Sequence, residues 1–459
     1  MSAHPSAGAA FPRGVALLVA GAFFMEILDA TIITPAIPRI AESFGVAALD
    51  VNVAISAYLM TVAVLIPVSG WAAARFGIRR VFLSAIVAFT LASVGCAAAA
   101  SLPMLVVMRV LQGMGGAMMV PVGRLAVLRS TGKADLVRAI AVLTWPALIA
   151  PVLAPALGGA IATTGSWRWI FIVNIPLGVI GFLLALRMIR GDPASGRWSL
   201  DWPGMLLLGG GIATSLIALE KIRLRGTDWA VVAGGAVAAT ALLVAAVRRL
   251  LRAAQPLVQL RVLTVRTLRI TVASGSLYRM VITAVPFLLP LQFQLEFGWT
   301  PLSAGLMVAV LFLGNLTIKP FTTPLMRALG IRTVLLVNAV LSVGCFGLLA
   351  VLHPGLPGVV VAAILYVSGA LRSIGFTAYN SLAFSDVVGD DLTHANTLNA
   401  AVQELAAGLG IAVAAVLLGQ VGTYAATYGL LGLLMALTVI ETLRLPVDAG
   451  GHVTAWPRR

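Results

Sequence analysis

An all-α, polytopic membrane protein with fourteen transmembrane helices is the fold class that this 459-residue sequence predicts. Its composition is 60% hydrophobic and 10% charged, with a mean hydropathy of +1.03, well away from the balance of a soluble globular chain. It divides into runs of roughly 20 apolar residues, the length that crosses a ~30 Å hydrocarbon core. Its basic residues recur in alternate connections between those runs, the asymmetry that marks cytoplasmic loops.

The opening stretch MSAHPSAGAAFPR is short. The run from Gly14 to Thr34 that follows is too long for a signal-peptide core and carries two acids, so a retained first span is expected. Further runs begin near Asn52, Val81, Met104, Ala139 and Trp169. A pair of shorter, Gly-rich runs starts near Trp202 and Trp229. Six more begin near Leu268, Pro301, Thr333, Leu356, Thr397 and Thr423.

The basic clusters fall at Arg13; Arg75, Arg79 and Arg80; Arg129, Lys133 and Arg138; Arg187, Arg190 and Arg197; Arg248 to Arg269; Arg327 and Arg332; and Arg444, Arg458 and Arg459. Only Arg39, Arg168 and the stretch Lys221, Arg223, Arg225 stand on the other side. An even helix count with both termini in the cytoplasm fits this pattern. The net charge of +15 is thereby read as topology rather than as a nucleic-acid surface. Cys96 and Cys345 lie within separate apolar runs and imply no disulfide framework.

The chain also echoes itself. Gly77-Ile78-Arg79-Arg80-Val81 recurs as Gly330-Ile331-Arg332-Thr333-Val334, and the helix after each ends in Ser-Val-Gly-Cys, at Ser93 to Cys96 and Ser342 to Cys345. Two six-helix bundles, residues 1–190 and 256–459, are therefore expected, with residues 191–255 forming a linker that adds two spans between them. Repeated halves with a site at their interface are a common plan of secondary transporters.

Seven ionisable residues sit inside the apolar runs: Glu26, Asp29, Arg109, Arg279, Lys319, Arg372 and Glu404. At roughly +2.5 to +3.5 kcal/mol each near the bilayer centre, they would cost on the order of 20 kcal/mol if they faced lipid, so they are expected to face one another or a water-filled path. Glu26 and Asp29, spaced i, i+3, share one helix face. One reading has Asp29, Glu26, Arg109 and Glu404 carrying a coupling proton; the other has static ion pairs that hold helices together. Arg279, Arg372 and Lys319, with the amides Gln112 and Asn380, form the candidate substrate cavity. Gly113, Gly115, Gly116, Gly158 and Gly159 allow close helix contact. Pro146, Pro151 and Pro155 favour a bend in the fifth helix. Trp71, Trp167, Trp169, Trp202 and Trp229 lie near helix ends, as interfacial anchors would.

Enzymatic chemistry finds little support. His4, His353, His394 and His452 are scattered with no ligand or relay spacing, and no Walker-type Gly-Lys-Ser/Thr run exists, so neither metal nor cofactor is expected.

Several of these residues also fall into known motifs. Leu28-Asp29-Ala30-Thr31-Ile32-Ile33 with Pro38 is similar to a first-helix signature; Gly70-Trp71-Ala72-Ala73-Ala74-Arg75-Phe76-Gly77-Ile78-Arg79-Arg80 to a loop between helices two and three. Arg109 with Gln112 and Gly113, Pro155-Ala156-Leu157-Gly158-Gly159, and Ser166-Trp167-Arg168-Trp169-Ile170-Phe171 with Asn174, Pro176 and Gly178 continue the match. Over nearly its whole length the chain resembles the major facilitator superfamily, and within it the fourteen-helix drug:H⁺ antiporter group.

That resemblance implies a multi-pass exporter of small organic compounds in a bacterial cytoplasmic membrane, driven by protons, needing no cofactor or nucleic acid, and working as a monomer. It implies that Arg109 assists proton transfer and that Gly70, Arg75, Gly77, Arg79, Arg80, Pro155, Gly158 and Gly159 serve gating. The sequence departs from the pattern at Ala74, where Asp is usual, at Ile78, where a base is common, and at Ala154, where Gly usually precedes Pro. With four buried bases against three buried acids, export of organic anions, carboxylates or metal-carboxylate chelates, stands as the alternative.

Overall fold

The computed structural model describes residues 13–131, 136–189, 199–223, 228–387 and 391–446. The predicted topology residues Lys133, Arg190, Arg197, Arg225, Arg458 and Arg459, together with His4, His452 and the 190/191 boundary, lie outside the described residues.

Helices stand where the apolar runs were expected. In chain order they are α1 (Arg13–Ile32), α2 (Asn52–Phe76), α3 (Ile78–Ala97), α4 (Leu102–Ser130) and α5 (Leu136–Thr164). Next come α6 (Trp169–Met188), α7 (Trp202–Arg223), α8 (Trp229–Arg252) and α9 (Arg266–Glu296). The last are α10 (Pro301–Thr317, continued by Lys319–Leu329), α11 (Ile331–Ala350), α12 (Gly358–Phe384), α13 (Asp391–Val421) and α14 (Tyr424–Leu443).

Among the described residues, twelve helices are long and apolar enough to cross a membrane, and the bent pair in α10 raises that to thirteen. α5, apolar over Leu148–Thr164, takes the place of the remaining predicted span. The chain is thus a multi-pass, all-α membrane protein.

Local chemistry sets the helix ends. Ser101, Thr300 and Thr423 each turn a side-chain oxygen back onto a backbone N–H of the first turn, and Asp228 does the same for α8. Pro301 sits at the first helical position, where its missing N–H costs nothing. Gly77 and Gly330 adopt φ of +85° and +77° between the second and third helices of each half, a conformation only glycine takes without strain. The two segments of the sequence echo therefore share one backbone geometry.

The echo extends to side chains. Arg79 donates from Nη2 to the carbonyl of Leu186 at 2.8 Å, and Arg332 donates from Nη2 to the carbonyl of Leu443 at 3.1 Å. Each arginine closes the C-terminal end of the sixth helix of its own half, where unpaired carbonyls concentrate negative charge. Arg168, a basic residue on the opposite face, does the same for α3 by donating to Ala99 O at 3.0 Å. Its position answers to a helix end rather than to topology.

Helix packing repeats as well. In the first half α3 packs on α4 and α6, α1 on α5, and α2 on α4; in the second half α11 packs on α12 and α14, α9 on α13, and α10 on α12. The halves meet through two reciprocal contacts, α5 with α10 and α2 with α13. The added pair α7 and α8 pack on each other, and α7 lies along the α2/α13 seam through Met60, Ile212, Leu216 and Ala412.

Three hydrogen bonds join the halves toward the face opposite the Gly77 and Gly330 turns: Gln294 Nε2 to Pro35 O at 2.9 Å, Leu302 N to Thr163 Oγ1 at 3.0 Å, and Ser56 Oγ to Gly408 O at 3.3 Å. Gly159 and Gly305 make that closure possible, while Gly158 lets α5 pack on α1 within the first half. A methyl at Gly158 would overlap the carbonyl of Ile32; one at Gly159 or Gly305 would overlap the carbonyls of Pro301 and Pro155 across the seam.

Pro146, Pro151 and Pro155 lie inside α5, and a 48° bend falls in α10 around Ile318. Pro320 follows that bend, lacks an N–H, and cannot fit its ring against the carbonyl four residues before it. Trp169, Trp202 and Trp229 are more than half exposed near helix ends, but Trp167 is buried against Phe44, Phe171 and Arg168 and serves packing.

Candidate functional site

Asp29 anchors the densest polar cluster. It lies on α1 at a point fully buried by α4, α6 and α3, and its carboxylate accepts from Arg109 Nη1, from Gln112 Nε2 at 2.8 Å and from Asn174 Nδ2 at 2.6 Å. Arg109 Nη1 also reaches Gln112 Oε1 at 2.8 Å, and Gln112 Nε2 contacts Ser93 Oγ at 2.8 Å. Arg109 and Gln112 are one turn apart on α4, which points both at the same carboxylate. Every member is fully buried. An ion pair so enclosed persists only because further hydrogen bonds satisfy it.

The satisfaction is incomplete on one side. Arg109 Nε and Nη2, Asn174 Oδ1 and the Tyr58 hydroxyl find no hydrogen-bond partner among the described residues. The guanidinium carbon of Arg109 instead lies 4.6 Å from the Tyr58 ring centroid and 5.6 Å from that of Phe171.

Glu26 lies one turn before Asp29, on the Tyr58 side. It and the Tyr58 hydroxyl both face Gly116 of α4, where a methyl would lie 3.2 Å from Glu26 Oε1 and 3.0 Å from Tyr58 Oη. No cation lies within ion-pair distance of Glu26 among the described residues.

The second half is arranged differently. Arg279 on α9 pairs with Glu404 on α13, Nη2 to Oε1 at 3.4 Å, and donates from Nε to Gln403 O at 2.9 Å. Their side chains are 20% and 28% exposed, so this pair is open where the Asp29 pair is sealed. Arg279 and Arg372 share the ring of Phe376, with guanidinium carbons 4.9 and 4.8 Å from its centroid. Arg372 also lies 5.5 Å from Phe312 and donates to Ile282 O at 3.1 Å. Lys319 donates to Thr377 Oγ1 at 2.8 Å. Neither Arg372 nor Lys319 has a carboxylate within 4.0 Å among the described residues.

Asn380 Oδ1 accepts from Gln403 Nε2 at 2.7 Å and Asn399 Nδ2 at 3.2 Å, beside a cleft also lined by Ser276, Arg279 and Phe376. The charges named in the sequence thus fall into separate groups. Asp29, Arg109 and Gln112 are together; Glu26 lies beside Tyr58 and Gly116; Glu404 pairs with Arg279, which with Arg372 and Asn380 borders Phe376 and the cleft; Lys319 stands apart on α10.

Of the residues expected to serve gating, Gly77 and Arg79 hold the turn and the α6 end. Pro155 and Gly159 lie at the contact between the halves, and Gly158 packs on Ile32 of α1. Gly70 is exposed with open space beside it, and Arg75 and Arg80 are exposed. Sequence reasoning passed over Tyr58 and Phe376, gave Ser93 only as part of the internal echo, and gave Asn174 only as part of a motif. The amide of Asn174 within the apolar run Phe171-Ile172-Val173-Asn174-Ile175 was a usable signal; nothing local marks Tyr58 or Phe376 as different from ordinary lipid-span aromatics.

Two repeated halves that meet at a reciprocal seam form the architecture of a membrane transporter. The Major Facilitator Superfamily model matches residues 19–410 and 271–458, and the chain belongs to that family. It is a transporter and not an enzyme.

Among curated relatives it is 34% identical over 451 residues to "Putative multidrug resistance protein MdtD" of Klebsiella pneumoniae (strain 342), covering 94% of each chain. It is 35% identical over 445 residues to the protein of the same name in Serratia proteamaculans (strain 568), covering 94% of this chain and 93% of that one. Solved structures share the fold: a D-xylose-proton symporter (TM-score 0.71, 15% identity, 96% of this chain and 99% of that chain). A POT family transporter in complex with 5-aminolevulinic acid also superposes (TM-score 0.72, 14% identity, 96% and 97%).

Proposed function

We propose that this protein is a proton-coupled antiporter that exports small organic compounds, in the manner of multidrug efflux, by alternating access. The observation that carries the reading is the sealed Asp29 cluster. Its carboxylate is the counter-charge of a fully buried Arg109 that leaves two of its nitrogens unused. A proton arriving on Asp29 would leave Arg109 without a counter-charge in an apolar surround, an arrangement too costly to persist. Protonation therefore biases the cluster, and the helices α1, α4 and α6 that form it, toward another packing.

The seam supplies the mechanical counterpart. Contacts at Gly159, Gly305 and Gln294 hold one face shut, and their release allows the halves to rock. The name borne by the curated relatives favours drug-like cargo. In this reading the basic face with both termini is cytoplasmic, the membrane is a bacterial inner membrane, and one chain is the working unit because it supplies both sides of the seam. The proton is the coupling ion and no cofactor takes part. One proton entering down 100 mV supplies ~2.3 kcal/mol.

Proteoliposome flux under an imposed pH gradient, across cationic dyes and carboxylates, tests this. Gradient-driven flux is expected in the native protein and lost in Asp29→Asn; undiminished gradient-driven flux in that variant would remove the reading.

A second reading, export of organic anions, draws on one specific observation: Arg372 and Lys319 lack carboxylate partners beside an aromatic, amide-lined cleft. Arg279→Gln and Arg372→Gln separate the two readings, since only anion export should fail in both.

A further inference from the structure

The stretch from the end of α8 to the start of α9 carries six arginines, Arg248, Arg249, Arg252, Arg261, Arg266 and Arg269, and no Asp or Glu occurs between Trp229 and Leu295. All six are exposed. Orienting a span requires only that bases stand on this side of the membrane. Here they are also held in fixed places.

α8 buries Val232, Ala239, Ala246 and Leu250 along one stripe and packs chiefly on α7. Arg249 lies near that stripe and is spent within the pair: its Nε meets Asp201 Oδ1 at 3.1 Å, on a carboxylate that also accepts from Gly204 N at 3.1 Å in the first turn of α7. Arg248 and Arg252 each stand two residues, about 200° of helical turn, from Ala246 or Leu250, so both point away from α7. Among the described residues, neither side chain makes an ion pair or a hydrogen bond.

Beyond α8 the chain stays packed. Residues 257–265 form a strap, helical over Leu260–Thr264, whose Val258 and Val262 are buried with Ala383 of α12 and with Ala395 and Leu398 of α13. Ser199 Oγ donates to Gln255 Oε1 at 3.1 Å before the strap, and Arg266 Nη2 reaches Arg444 O at 3.5 Å after it. The docked side chains leave Arg261 exposed between them. Asp386 and Asp391, the acids beside the turn from α12 to α13, make no ion pair with it among the described residues.

We propose that the end of α8 and this strap form a docking surface for anionic phospholipid headgroups of the adjoining leaflet, with Arg248, Arg252 and Arg261 as its phosphate-binding residues. Unpaired guanidiniums at the end of a span meet headgroups directly; each attracts anionic lipid by about fivefold and offers paired N–H donors to phosphate. The strap sits on helix stretches that also border the cleft: Leu398 adjoins Asn399, and Ala383 lies one turn beyond Asn380. Headgroups that hold the strap therefore hold those helix ends, and the charge of the leaflet sets how readily the cleft opens.

The full chain in detergent is offered phosphatidylglycerol and phosphatidylcholine in equal amounts, and the lipids that stay bound are counted by native mass spectrometry. Phosphatidylglycerol is expected to be retained in preference. That preference should fall at least about tenfold in the triple variant Arg248→Gln, Arg252→Gln, Arg261→Gln. A second triple, Arg13→Gln, Arg187→Gln, Arg327→Gln, removes the same charge from exposed positions on the same face and should keep the preference. No preference in the native chain, or equal loss in both triples, would overturn the surface.

In vesicles, gradient-driven dye flux through the native protein should rise with the phosphatidylglycerol fraction and stay flat in the first triple. An undiminished rise in that triple would overturn the link from the strap to the cleft. Lipid retention is measured without transport, so it stands or falls apart from the antiport reading, which flux through Asp29→Asn decides.

Discussion

The two halves of this transporter share a helix-packing plan and differ in how they treat charge. In the first half Arg109, Gln112 and Asn174 converge on one fully buried carboxylate, that of Asp29. In the second half the cations outnumber the acids: Arg279 has Glu404, while Arg372 and Lys319 lean on aromatic rings, a carbonyl and a hydroxyl. A sealed, charge-matched cluster responds to a change in its own protonation. A cluster with unspent positive charge beside a cleft responds to what enters it. On the proposed antiport reading, coupling falls to the first half and recognition to the second.

The most disruptive way to probe this contrast is to break the sealed pair. Asp29→Asn removes the counter-charge from a buried guanidinium, a change that costs about 3–5 kcal/mol when a buried pair loses one partner. Thermal unfolding in detergent should show a marked loss of stability, and gradient-driven flux should fall at least a hundredfold. A mild stability change would mean that Arg109 finds another acceptor.

Next in size is the closed face. Gly305→Val forces a side chain into the carbonyl of Pro155 across the seam and should disfavour closure by about 1–3 kcal/mol, the usual scale of overpacking. Single cysteines near Thr163 and Gln294 should then react faster with a membrane-impermeant thiol reagent. Unchanged reactivity would show that the halves separate elsewhere.

Arg372→Gln makes the sharper test of the second half. Because this cation has no carboxylate to orphan, stability should barely change, while KM for anionic cargo rises about tenfold, the loss of one charge-assisted hydrogen bond of roughly 1.4 kcal/mol. A large loss of stability would place Arg372 among the structural residues and erase the contrast with Arg109.

The smallest expected effect belongs to what the halves have in common. Arg79→Gln and Arg332→Gln each uncover the carbonyl end of a sixth helix, a loss of about 0.3–1 kcal/mol that should be similar in the two variants by thermal unfolding. A large inequality would mean that one of the two turns carries a gating load as well.

Much of the fold was legible before any coordinates. Helix α2 begins at Asn52 and α10 at Pro301, as the hydropathy runs predict, because a lipid-spanning helix must be apolar for a length fixed by the bilayer. The repeat was legible through Gly77 and Gly330, since a positive φ between two helices demands glycine. Pro320 was harder: among many prolines, nothing local says which one stands at a break, and three others sit inside a continuous helix with neighbours packed around them.

The candidate site divides along the same line. An ionisable residue within an apolar run announces itself, because lipid tolerates it so poorly, and Asp29, Arg109 and Arg372 were visible on that ground alone. Tyr58, Ser93 and Phe376 were not, since such side chains are cheap to bury and common in any span.

The sequence by itself determined that this chain crosses a membrane many times, that its halves repeat, and that a handful of charges had to find shelter. Those properties follow from transfer free energies and backbone sterics, which act residue by residue. Only the tertiary structure decided which charge shelters with which: that Arg109 is spent on Asp29, that Glu404 meets Arg279, and that Arg372 keeps its charge unmatched. Pairing depends on which helix faces meet across hundreds of residues of chain, and hydropathy carries no record of that choice.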